Sequence, residues 1–309
     1  MINKYAPICL FVYNRPEHTK KTIDALVRNT KALDSDLYIF SDAAKNIGAI
    51  DDVEKVREII HDISGFNAIS IIESEFNKGL ANSIIDGVSD VISKYGKVIV
   101  LEDDLILSPL TLEYLNIMLC EYKEEEHVFS VTSYNYPDKT VKVPDNFEYE
   151  NYFTGRPCSW GWATWEDRWD LVKWKGAPYT DFLNHKSIQK QFAEYSGNDI
   201  SRMLKKQLEG KIDSWAVRFT YNCFLLGKVA SYPVKSYITN IGADGSGTHK
   251  GLNEDYVFNE ELHCKLPHNI NRDFTVQKDI LKSFNEFVKR KYYFRRLVLM
   301  LKSIIKNLS

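Results

Sequence analysis

Four short apolar runs alternate with three stretches of helical periodicity over the first hundred residues, and this alternation constrains the fold more than any other feature of the chain. Ala6 to Tyr13 (APICLFVY) reads as a buried strand. Asn14-Arg15-Pro16 breaks it, and Pro16 suits the turn into a helix over Glu17–Thr30. Asp36–Ser41, Ala68–Ile72 and Lys97–Leu101 are the next three strands. Between them, Val53, Val56, Ile59, Ile60 and Ile63 line one face of a helix over 51–64. Ile84, Ile85, Val88, Val91 and Ile92 do the same for a helix over 79–93. Strand–helix–strand units of this kind imply an α/β fold with a mixed, mostly parallel sheet flanked by helices. Such sheets bind ligands outside the carboxyl ends of their strands.

Three charged positions stand there. Arg15 follows the first strand, Asp42 the second and Glu102-Asp103-Asp104 the fourth. Adjacent carboxylates at a strand end repel one another unless a cation neutralises them. Hard oxygen ligands favour Mg2+ or Mn2+, ions that keep positions open for substrate phosphates. The plainer alternative is a solvated acidic turn or a helix cap.

Beyond residue 105 the pattern changes. A helix is predicted over 109–122 and a strand over 128–133, followed by an aromatic stretch, Tyr149 to Trp174, that holds five of the six tryptophans. Helices are predicted near 187–195, 200–209 and 214–226, and Gly242 to Gly251 is a glycine-rich loop. The division expected is a nucleotide-binding half over 1–135, an acceptor-binding and catalytic half of the same domain over 136–283, and a tail over 284–309. The formal net charge of −2 argues against nucleic acid as a partner. Residues 289–309 nevertheless carry seven Lys or Arg and no acid. Phe294, Leu297, Leu301, Ile304 and Leu308 recur there at helical spacing, which reads as a basic amphipathic helix. It suits either an anionic membrane surface or docking on the protein's own body.

Five scattered cysteines without a C-x-x-C pair argue against a zinc site or a disulfide framework and suit a reducing cytosol. Met1-Ile2-Asn3-Lys4 leads directly into the first strand, so no signal peptide is expected, and no apolar run reaches membrane-spanning length. The location these features predict is the cytoplasm, with peripheral attachment to the inner face of the cell membrane.

In their order, Tyr13-Asn14-Arg15, Ser41-Asp42, Val100 to Asp104, Val131 to Asn135, Gly161-Trp162 and Asp213-Ser214-Trp215 resemble the GT-A fold glycosyltransferases, most closely the inverting N-acetylglucosaminyltransferase I group and its bacterial relatives. The resemblance covers roughly residues 5–250 and is patchy beyond 165. It implies a metal-dependent transfer from a UDP-sugar, with N-acetylglucosamine or another hexose, to a glycan or lipid-linked glycan. Arg15, Asp42 and Lys78 would then contact the nucleotide, Glu102 and Asp103 the ribose and donor sugar, and Asp104 the Mn2+ or Mg2+. His249 is a further candidate for the metal or phosphate shell, and Trp160, Gly161 and Trp162 for a wall of the sugar site. Asp213 is the implied general base, although this chain lacks the family's second acid there, which leaves Glu166, Asp167 and Asp170 as alternatives. Asp213 is also a good helix cap. Two other classes stay open at this stage: a nucleotidyltransferase, whose usual glycine-rich triphosphate loop is not found around Asn14-Arg15-Pro16, and a non-catalytic, metal-dependent carbohydrate-binding protein.

Overall fold

The computed structural model describes residues 5–244 and 261–290 of the 309. The elements run β1 (Ile8–Val12), α1 (Pro16–Val27), β2 (Asp36–Ser41), α2 (Ile50–His61), β3 (Ala68–Glu73), α3 (Leu80–Tyr95) and β4 (Lys97–Glu102). They continue with β5 (Leu105–Leu107), α4 (Thr111–Glu121), β6 (Val128–Thr132), β7 (Asn151–Thr154), β8 (Trp162–Trp165) and α5 (Glu166–Trp169). Then come α6 (Ala177–Asn184), α7 (Lys186–Ser196), α8 (Asn198–Leu208), α9 (Trp215–Leu225), β9 (Val229–Pro233) and β10 (Ile238–Asn240).

Eight strands form one sheet in the order β3-β2-β1-β4-β8-β6-β9-β7. β3, β2, β1 and β4 are parallel, β8 runs antiparallel between β4 and β6, and β9 is again parallel to β6. This is the mixed, mostly parallel sheet flanked by helices that the sequence predicts. Every residue of β1 is buried, as expected of a central strand covered on both faces. The core divides along the faces of this sheet. One cluster joins β1 and β4 to α1, α2 and α4. A second packs Ile84, Val88, Val91 and Ile92 of α3 with Val98, Val100, Trp215 and Phe219, and a third gathers Tyr179, Phe182, Phe192 and Tyr221 among the later helices. The α3 helix stops where Gly96 turns left-handed (φ 72°) and donates its N–H to the Ile92 carbonyl.

The tryptophan-rich stretch departs from its expected role. Trp162 is only 1% exposed and stacks on Trp215 at 4.9 Å, with Trp169 at 5.9 Å. Trp165 Nε1 donates to the Leu119 carbonyl and Trp169 Nε1 to Ser89 Oγ. The surrounding chain thus satisfies two indole N–H groups internally, so a run of tryptophans can be buried together. Trp162 Nε1 is buried with no partner among the described residues. Trp162 therefore belongs to the core and presents no face for a sugar.

Gly161 is also buried. It stands just before β8 at φ +53°, and its carbonyl accepts from Ser133 N, Ser133 Oγ and Thr132 Oγ1. It is a joint between β6 and β8 and forms no wall of a surface pocket. A methyl group there would lie 2.6 Å from Ser133 Oγ and 2.7 Å from Ile238 Cδ1.

The helix over 278–290 places Ile280, Phe284 and Val288 in the main core, one turn apart, with Phe284 against Tyr136. This part of the C-terminal region docks on the protein's own body, and the rest of the basic tail lies outside the described residues. Among the described residues no helix is long and apolar enough to cross a membrane.

Gly161→Ala combines an unfavourable backbone conformation with overpacking, and it should cost about 2–4 kcal/mol in chemical denaturation. A loss below about 0.5 kcal/mol would show that the β6–β8 joint does not depend on this glycine.

Candidate functional site

The register of the parallel strands builds the site. Phe11 pairs with Glu102 and Val12 with Ser41, so Tyr13, Asp42 and Asp103 leave the sheet at one edge. At this edge Arg15 closes the turn into α1, and Pro16 opens the helix at a position where a missing N–H costs nothing.

Arg15 is the centre of the arrangement. Its Nη2 donates to Asp103 Oδ1 and to Asp104 Oδ2, the latter at 2.9 Å. A single nitrogen in contact with both carboxylates shows that they converge on one cation position. Burial works against the charge on Arg15, and the two aspartates more than offset it, so its pKa stands above the usual value. Asp103, 4% exposed, also accepts from the Tyr13 N–H at 3.3 Å. Burial raises its carboxyl, with Arg15 acting in the opposite direction. Burial, reinforced by Asp104 and Asp103, pushes the Glu102 carboxyl up to about 8. One guanidinium thus pairs with two of the three acids, and the third, Glu102, stands above the usual carboxylate range beside them.

A strand pair that the sequence did not announce completes this edge. β10 lies antiparallel to β5, with Asn240 opposite Leu105. Asn240 Nδ2 donates to Asp104 Oδ1 at 3.1 Å, and the Ile241 N–H donates to the Asp104 carbonyl. Gly242 N–H donates to Asn240 Oδ1 at 2.8 Å, which lays the Gly242 backbone against the site. A methyl group on Gly242 would collide with the Asp104 carboxylate and come within 2.8 Å of Arg15 Nη1. Asp244 continues the loop and meets His18 Nε2 of α1 at 3.1 Å. His249 lies outside the described residues.

Asp42 holds a second loop. Its carboxylate accepts from the N–H groups of Ala43, Lys78 and Gly79, each at 2.9 Å, and from Asn77 Nδ2 at 3.0 Å. Four donors fill a carboxylate's acceptor positions. The protein itself therefore saturates Asp42, which ties the chain after β2 to the turn before α3. Lys78 contributes its backbone to this tie, and its ammonium reaches Asp86 at 3.5 Å.

Asp213 arrives from the other half of the chain beside this turn. A Cβ on Gly79 would lie 3.6 Å from Asp213 Oδ2. The helix that follows is capped by Ser214, whose Oγ accepts from Val217 N at 3.4 Å. The Asp213 side chain is left 56% exposed, 3.7 Å from Arg218 Nη2. Glu166, Asp167 and Asp170 gather at the start and end of α5, next to β8, and Asp167 pairs with the buried Arg168. Trp160 is half-buried, with its ring edge-on to Tyr134 at 4.7 Å.

A divalent cation needs few protein ligands at such a site, because Mg2+-type ions are commonly held by one or two carboxylates together with substrate phosphates. Asp104 has the right donor chemistry for such a ligand, and its meeting with Asp103 at Arg15 Nη2 shows a place for one positive charge. Among the described residues no group of three or more His, Cys, Asp or Glu converges into an all-protein cage. The residues present thus fit an ion shared with a phosphate-bearing ligand.

No known protein-family description matches the sequence, and no curated protein matches it. Several solved structures are similar in shape. A mannosyltransferase from Pyrobaculum calidifontis, in complex with GDP-Man and Mn2+, is 12% identical over 71% of this chain and 74% of its own, with a TM-score of 0.38. S. aureus TarS is 13% identical, with a TM-score of 0.37. It matches 75% of this chain, which spans only 36% of TarS. An apo UDP-glucose pyrophosphorylase is 12% identical over 77% of this chain and 93% of its own, with a TM-score of 0.38. At these identities and scores the likenesses carry no weight in assigning a function, which rests on the residues above.

Asp42→Ala leaves three backbone N–H groups and one amide without their acceptor. It should destabilise the ligand-free protein by about 2–4 kcal/mol, measured by denaturant titration with no nucleotide present. Unchanged stability would mean that Asp42 does not hold the two loops together.

Proposed function

We propose that the chain is a metal-dependent, inverting glycosyltransferase that moves a sugar from a UDP-sugar to a glycan or lipid-linked glycan acceptor, in surface polysaccharide synthesis. The observation that carries this reading is the meeting of the Asp103 and Asp104 carboxylates on one cation position at the carboxyl end of a parallel strand. It explains why three acids follow an apolar strand, since a phosphate-bound cation is what such a cluster neutralises.

In this reading the diphosphate lies over Asp104 and the Gly242 backbone, within reach of Arg15, whose planar guanidinium suits two phosphate oxygens. Mn2+ or Mg2+ held by Asp104 supplies positive charge where the leaving diphosphate gathers negative charge. Glu102 and Asp103 hold the ribose and donor sugar. Asp42 acts chiefly by fixing the loop that carries Lys78, a revision of its expected direct contact with the base that its four internal donors support.

Asp213 is the proposed general base. The acceptor hydroxyl gives its proton to the Asp213 carboxylate, and the acceptor oxygen forms a bond to the anomeric carbon. The bond from that carbon to the diphosphate oxygen breaks on the opposite face, through an oxocarbenium-like state, and UDP leaves. Ser214 supports this role by taking over the capping of α9, so the Asp213 carboxylate is not used up in the helix. Trp160, the half-buried member of its segment, is the proposed aromatic face for a sugar ring. The resemblance makes N-acetylglucosamine the first donor to test. His249 in the metal or phosphate shell and membrane attachment through 289–309 belong to the same proposal.

UDP with Mn2+ should raise the melting temperature of the wild type, and Asp104→Ala should remove that shift. Asp213→Asn should keep the shift and lose about 10²–10⁴-fold in transfer rate. Stabilisation by free sugars alone, with no response to UDP and Mn2+, would favour a carbohydrate-binding protein.

A further inference from the structure

Arg15 occupies the place where the two aspartates meet, and the reading above assigns that place to a metal ion. The guanidinium and a divalent cation cannot share it, because Nη2 is already in contact with both carboxylates. We propose that Arg15 is an internal counter-cation, which offsets the negative charge of Asp103 and Asp104 in the ligand-free protein and moves to the diphosphate when the metal–nucleotide complex arrives. This rests on the glycosyltransferase reading and adds to it a mechanism that couples the two ligands.

Three observations support the exchange. Asp103 is buried, and the Arg15 side chain is 18% exposed, so their pairing is sheltered from solvent screening. Among the described residues Arg15 is the cation that pairs with these two carboxylates, and removing it leaves them in a costly state at low dielectric. Arg15 also has an outlet: its second terminal nitrogen, Nη1, faces the Gly242 backbone, where a Cβ would come within 2.8 Å. A phosphate lying along the Gly242 backbone would meet the guanidinium after a side-chain rotation.

The energetic consequence is a sign rule. A free divalent cation must displace Arg15 and leave a positive group beside itself with no anion to receive it. A metal–nucleotide complex brings the anion along. Free metal is therefore bound weakly, and each ligand strengthens the other by the same factor. With Arg15 between the two aspartates the ligand-free protein stays folded without metal, and the site takes the metal only together with a phosphate-bearing ligand.

The test is Mn2+ binding, followed by electron paramagnetic resonance of the free ion, with and without UDP, on wild type and Arg15→Met. Circular dichroism confirms that the variant is folded, and Arg15→Lys serves as a charge-retaining control. Wild type should bind Mn2+ weakly alone and about 5–150-fold more tightly with saturating UDP, the usual range of coupling between two ligands. Arg15→Met should bind free Mn2+ at least about tenfold more tightly than wild type, and most of its coupling to UDP should vanish. Arg15→Lys should stay close to wild type for free Mn2+.

Unchanged free-Mn2+ affinity in Arg15→Met, with only UDP binding weakened, would overturn the proposal and leave Arg15 as a plain phosphate contact. Weaker Mn2+ binding in a folded Arg15→Met would overturn it as well. No Mn2+ binding to wild type even with UDP would remove the glycosyltransferase reading itself, and the exchange with it. That pattern is distinct from the other two, in which wild type still binds the metal.

Discussion

A single guanidinium between two buried or half-buried carboxylates sets the state of the whole binding edge. Arg15 makes it possible for Asp103 and Asp104 to stand side by side at the end of β4, where repulsion and desolvation would otherwise oppose both charges. The rest of the edge is built around that contact. Asn240 holds the other oxygen of Asp104, the Ile241 N–H holds its carbonyl, and Gly242 has no side chain to fill the space in between. The neighbouring Glu102 has no such cation of its own, and its carboxyl rises to about 8.

The two halves of the chain contribute to this edge in different ways. Strands β1, β2 and β4 deliver their charged residues through in-register parallel pairing. The later half contributes through β10, paired to the short β5, and through Asp213 at the start of α9. The continuous sheet, in which β6, β9 and β7 extend past β8, gives both halves one rigid frame. Such a frame suits a site whose residues come from segments far apart in sequence.

Much of the first half was legible from periodicity alone. The strand Asp36–Ser41 was read at both ends, and the first helices were read to within a few residues, because apolar runs and helical spacing are local signals. The acidic triplet was legible for the same reason, as charge directly after an apolar strand. The second half was harder. β5 and β10 have three residues each, and β7 and β8 have four, too short to show an alternation. Asn240 gave no signal because its role depends on β10 finding β5 more than 130 residues away in sequence. The tryptophans misled for a physical reason. A Trp near a site and a Trp in a core look alike in sequence, and burial of Trp162 depends on α5 and α9 closing over it. Asp42 was identified as important, but sequence could not show that four internal donors already occupy its carboxylate. Ser214, one residue beyond Asp213, takes the cap for which the sequence pointed to the aspartate.

The most direct test of the central claim is anomalous diffraction at the manganese edge from crystals grown with UDP and Mn2+. The account predicts one strong peak within coordination distance of the Asp104 carboxylate, beside Asp103, with the Arg15 guanidinium turned away onto the diphosphate. A peak elsewhere, or UDP bound with Arg15 still lodged between the two aspartates and no metal beside them, would contradict it.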